Sequence, residues 1–175
     1  MRMLSLRLLF PLLAIVLAIT VLAAYTHHDE GGGIDYPETL PGGYHVARLA
    51  TGSEAVEMIR GLHWSPEKID VDDALVAIYT DGTILWASYV DSNACPIAAS
   101  MAEKMREYET ELPYTAPIPH SFGDTLVYLT MNKHDGSLHA FWCRDGLVVW
   151  VRLGAAGARD PVGLLELFIE EVKKG

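Results

Sequence analysis

The chain predicts an α+β domain on an antiparallel sheet, and two observations carry that expectation. Asp-Gly occurs three times between apolar runs, at Asp81-Gly82, Asp135-Gly136 and Asp145-Gly146. This dipeptide readily fills the positive-φ positions of a tight hairpin turn. The remaining stretches carry apolar residues at helical spacing, each opened by a capping residue. Together they give the order β-α-β-β-α-β-β-β-α, with the helices expected on one face of the sheet.

Ahead of the domain lies an apolar segment. Residues 8–24, LLFPLLAIVLAITVLAA, are uncharged, and Tyr25 and Thr26 extend the run to nineteen. At 1.5 Å per residue that is about 28 Å, close to the ~30 Å hydrocarbon core of a bilayer. Arg2 and Arg7 precede the run, while Asp29 and Glu30 follow it. The positive-inside rule then keeps the N-terminus cytoplasmic and exports the rest. Residues 1–26 are therefore expected to be a signal-anchor helix; the competing reading is a signal peptide cleaved after Val21-Leu22-Ala23, which would leave a secreted protein. Residues 27–43, with three consecutive glycines and two prolines, are expected to be a tether, and residues 44–175 the extracytoplasmic domain.

Residues 44–50 alternate as a first strand. Thr51 and Glu54 match a capping box ahead of a helix with Ala55, Val56, Ile59 and Leu62 on one face. His63-Trp64-Ser65-Pro66 is a turn, and residues 74–90 form the first Asp-Gly hairpin. Asp91, Ser92 and Asn93 then offer caps for a helix with Pro96 in its first turn and Ile97, Met101, Met105 and Tyr108 as a stripe. Residues 112–119, with three prolines, are a loop. A three-stranded meander occupies residues 125–133, 138–144 and 147–153, followed by a loop at residues 154–157. Asp160-Pro161 opens the last helix, whose stripe is Val162, Leu165, Phe168, Ile169 and Val172.

Two-residue turns fix cross-strand partners. They place Leu129 opposite Trp142 and Met131 opposite Ala140, then Trp142 opposite Val149 and His139 opposite Arg152. In the first hairpin they group Val76 and Ile78 with Leu85 and Ala87, and Leu75, Ala77 and Tyr79 with Ile84 and Trp86. One face of the meander is aliphatic. The other carries Tyr128, Phe141 and Trp150, joined by Trp86, with His139 and Arg152 among the rings. Such a face suits a binding surface, the aromatic residues forming a slab and His139 and Arg152 orienting a polar or anionic group. It equally suits a face covered by the proline-rich loop or another chain, because aromatic pairs stabilise sheets without a ligand.

Composition narrows the partners. A net charge of −10 and a pI near 5.0 lack the basic footprint that nucleic acid requires. The anticipated partners are the membrane, another envelope protein, a second copy of the chain or a small ligand. Cys95 and Cys143 can form a disulfide in an exported domain or remain two buried thiols. No CxxC, HExxH, GxSxG, SxxK or Gly-rich phosphate loop occurs, so no catalytic residue, metal ligand or cofactor is assigned. A non-catalytic binding domain is the leading expectation. Its alternatives are a metal- or haem-handling protein using scattered histidines and Cys143, and a hydrolase using His120 and Ser121.

Overall fold

All three Asp-Gly dipeptides make hairpins, but of three different lengths. The computed structural model describes residues 33–62 and 70–175, so the apolar run, the start of the tether and the turn at His63 lie outside the described residues. The described elements are β1 (Ile34–Asp35), β2 (Thr39–Leu40), β3 (Tyr44–Thr51), α1 (Gly52–Arg60), β4 (Asp73–Tyr79) and β5 (Ile84–Tyr89), then α2 (Ala94–Glu107). They continue with β6 (Ile118–Phe122), β7 (Thr125–Met131), β8 (Leu138–Arg144) and β9 (Leu147–Arg152), and close with α3 (Ala155–Arg159), α4 (Pro161–Glu171) and β10 (Lys173–Lys174). The fold is α+β. Strands β2-β3-β4-β5-β9-β8-β7-β6 make one eight-stranded antiparallel sheet, and β1 pairs with β10.

Only the β8–β9 hairpin has the two-residue turn. Asp145 and Gly146 take φ of 49° and 79°, and Phe141 lies opposite Trp150 and His139 opposite Arg152 as expected. At β4–β5 the loop holds three residues: Tyr79 N–H reaches Thr83 O at 2.9 Å, and of the Asp-Gly pair only Gly82 is left-handed. The Asp81 carboxylate explains this, because it accepts from the backbone and hydroxyl of Thr83 and from Ala156 N–H, each at 2.9 Å. Its contacts hold Asp81 in an ordinary conformation and tie the turn to the start of α3. Ile78 therefore pairs with Ile84 and Ala77 with Leu85. A one-residue slip exchanges the faces, so Leu85 and Ala87 share a face with Leu75, Ala77 and Tyr79. At β7–β8 the loop holds four residues, with Asn132 N–H bonded to Ser137 O at 2.9 Å, and Leu129 lies opposite Ala140. That slip is two residues, so its faces survive.

Helices cover both faces of the sheet, not one. On the aliphatic face Leu164, Leu165, Phe168 and Ile169 of α4 pack over Leu75, Ala77, Leu85, Ala140, Trp142, Val149 and Val151. On the aromatic face Ala55, Val56 and Ile59 of α1 pack over Ala50, Ala74 and Val76, with Trp86 at their edge. Beside them Ala102 and Met105 of α2 lie on Phe141. The reason is hydrophobic: the central strands are apolar on both sides, so each side has to be buried.

The helix faces are narrower than the spacing suggested. Leu62, Ile97, Tyr108 and Val162 are exposed, and Ala94, Ala98 and Ala102 make the seam of α2. The capping box does not form: Thr51 makes no side-chain cap bond, and Glu54 turns to Arg48 at 3.2 Å. Asp160 does cap α4, accepting from Gly163 N–H at 3.0 Å behind Pro161. The expected tether ends early, because Ile34 and Leu40 are buried in the main core. Nor is the proline-rich loop a loop throughout, as its end forms edge strand β6.

A candidate binding trough beside a closed aromatic cluster

The six residues expected to form a slab separate into a closed cluster and an open margin. Register brings Tyr128, Phe141, Trp150 and Trp86 into one row across β7, β8, β9 and β5. Phe141 stacks between Tyr128 at 5.1 Å and Trp150 at 4.9 Å, and is fully buried beneath α2. Trp86 is half-buried against α1.

The segment after α2 covers the polar end of the row. Thr130 hydroxyl donates to Thr115 O at 2.7 Å, Thr115 and Met131 exchange a backbone bond at 3.0 Å, and Lys133 N–H reaches Pro113 O at 2.7 Å. Pinned along the end of β7, this segment lays Tyr114 edge-on against both His139 at 5.1 Å and Trp150 at 5.5 Å. His139 is consequently 3% exposed.

Its ring nitrogens are both committed. Trp150 Nε1 lies 2.9 Å from His139 Nδ1, and an indole nitrogen only donates, so Nδ1 accepts and the proton sits on Nε2. Nε2–H then donates to Ser137 Oγ at 2.9 Å, and the Ser137 hydroxyl donates to Asp135 Oδ1 at 2.6 Å. Arg152 closes the chain on Asp135 Oδ2 at 3.3 Å. Burial, with the Arg152 cation behind it, lowers the His139 pKa to about 4. Hydrogen bonds from Ser137 hold Asp135 below the usual carboxylate range, helped by Arg152. Serine, histidine and aspartate thus meet in an order that does not activate the serine. A general base needs a free lone pair facing the hydroxyl, and here Nε2 presents a proton. His120 and Ser121, adjacent on β6, point to opposite faces.

Beyond α2 the aromatic face opens. Between its first turns and β7 runs a trough of about 590 Å³, lined by Cys95, Ala98, Ala99, Leu126, Tyr128 and Cys143, with Asp124, Arg144 and Asp145 at one end. Cys95 and Cys143 form a disulfide that ties α2 to β8 in its wall. Leu126 is 47% exposed on the floor. Arg144 is fixed at the mouth by Asp145 at 3.2 Å and by the carbonyl of Ile169. Of the expected slab, Tyr128 alone lines this trough. Ala98, Ala99 and Leu126 were not among the expected site residues: alanines at positions 94, 98 and 102 repeat at helical spacing and mark the side of the helix that lies on the sheet, not a ligand.

The bridge occupies Cys143, and among the described residues no three His, Cys, Asp or Glu side chains gather as metal ligands. Among them, too, no helix is long and apolar enough to cross a membrane. The class defined here is an antiparallel α+β domain with helices on both faces and an open trough beside α2. Compared with protein-family models, curated proteins and solved structures, the chain finds no match.

Proposed function

We propose that the chain is a membrane-anchored, extracytoplasmic, non-catalytic domain that holds a segment of another envelope protein in the trough between α2 and β7. The trough is the observation that carries this reading. It is open and lined by alanine, leucine, tyrosine and a disulfide, with fixed charges confined to one end. Specific sites of this kind combine an apolar floor with a few placed polar groups. The closed cluster contributes rigidity, since its relay leaves His139 no free nitrogen for a ligand. Anchoring and export rest on residues 8–24 with their flanking charges, and the disulfide suits an oxidising compartment.

The test places a photoreactive phenylalanine at Ala99 in the full-length chain in its own membrane. Irradiation should give one discrete protein adduct, and Leu126→Asp should abolish it while leaving the melting temperature unchanged. No adduct, or a diffuse set indifferent to Leu126→Asp, overturns the proposal.

A further inference from the structure

Resting on that reading, we infer that the Cys95–Cys143 disulfide is an exchangeable redox centre, and that the partner docked in the trough is a dithiol protein that reduces it. Three features separate this bond from a structural staple. Both cysteines line the trough, Cys95 exposed and Cys143 half-buried, so a thiolate on a bound segment can approach either sulfur. Exposed disulfides are the labile ones, whereas structural ones are shielded.

Cys95 also sits in the first turn of a fourteen-residue helix. That turn carries no acidic residue, and Asn93 gives it no side-chain cap. A short 3-10 turn, Asp91–Asn93, leads into the helix and Ala94 N–H bonds Asp91 O, so the positive end of the helix is what favours the thiolate of a departing Cys95. The better leaving group is Cys95, so the sulfur attacked is that of Cys143.

Finally, α2 does not depend on the bond for its seat. Ala98 and Ala102 are buried against the sheet, Met105 packs on Phe141, and Val90 N–H holds Gly146 O at 2.9 Å just before the helix. The bridge can therefore open without unfolding the domain.

A partner thiolate attacks Cys143 Sγ; a partner–Cys143 disulfide forms, the Cys95–Cys143 bond breaks, and Cys95 leaves as thiolate. The partner's second thiolate then attacks its own mixed-disulfide sulfur and releases Cys143. Two electrons pass from the dithiol to the bridge, the partner ends as a disulfide, and its two protons end on Cys95 and Cys143.

The test uses the full-length protein with two small probes. Dithiothreitol should reduce the native disulfide within about tenfold of its rate in urea-unfolded protein, with circular dichroism unchanged. Glutathione followed by iodoacetamide should leave glutathione on Cys143 and the alkyl group on Cys95. Native reduction slower by about a hundredfold or more, reduction accompanied by unfolding, or glutathione on Cys95 overturns the inference. A small thiol needs no docking segment, so an inert bond alongside an intact Ala99 adduct sinks the redox assignment alone. A reducible bond with no adduct sinks the docking reading and leaves the bond exchangeable.

Discussion

The two faces of the sheet are buried by different means. The aliphatic face is closed mainly by α4, with Ile34, Leu40 and Ala156 at its edges; the buried Tyr79 hydroxyl donates to Pro37 O at 2.6 Å, while Trp142 Nε1 finds no acceptor among the described residues. The aromatic face is closed in pieces by α1, α2 and residues 112–117, and the polar atoms at its covered end are bonded in series from Trp150 to Arg152. Area burial is insensitive to pH. A hydrogen-bonded relay is not, because each member fixes the proton of the next. Where the pieces of the second cover fail to meet, the trough remains.

The largest expected effect tests whether both faces are core. Phe168 and Phe141 are each fully buried, one on each face. Replacing either with Ala should cost about 3–5 kcal/mol in urea unfolding, since both leave a ring-sized void. The comparison breaks if Phe141→Ala loses adduct formation at Ala99 with little loss of stability, because Phe141 would then belong to the binding surface.

The next effect separates the faces. His139 is neutral in the fold, with its pKa lowered from 6.5 to about 4, so below pH 6.5 the unfolded chain takes up a proton that the native state refuses. Its contribution is complete above about pH 6.5 and is lost as pH falls toward 4, amounting to roughly 3 kcal/mol in all. Urea titrations between pH 7.5 and 4.5 should show that decline, and His139→Gln should flatten it. A decline of equal size in the variant would assign acid sensitivity to other groups.

Much of this contrast is legible in the sequence, though not its consequence. Alternation within β7, β8 and β9 already sorts aliphatic from aromatic positions, and the type of turn at Asp145-Gly146 sets their register. The same dipeptide misleads at Asp81, because Thr83 and Ala156 compete for the carboxylate and a side chain's distant partners cannot be read locally. Two-sided helix cover was missed for a similar reason: spacing shows that a helix has an apolar face, but not which side of the sheet receives it. The aromatic and polar residues of the candidate site were identified, whereas the open surface lies one helix turn away, among alanines. Small residues carry no chemical signature; only packing shows that they leave room for something else.

The smallest effect asks whether the relay, rather than burial alone, sets the acid response. Trp150→Phe keeps a ring stacked on Phe141 but removes the N–H that faces His139 Nδ1. A buried acceptor left without its donor should cost about 1 kcal/mol at pH 7. The same change frees Nδ1 to take a proton, so the native pKa should rise and the fall in stability between pH 6.5 and 4.5 should shrink. Trp142→Phe on the aliphatic face deletes an N–H that bonds nothing among the described residues, and should shift stability equally at every pH. If both variants keep the full acid response, desolvation alone holds His139 neutral, and the faces differ in the size of their buried groups rather than in mechanism.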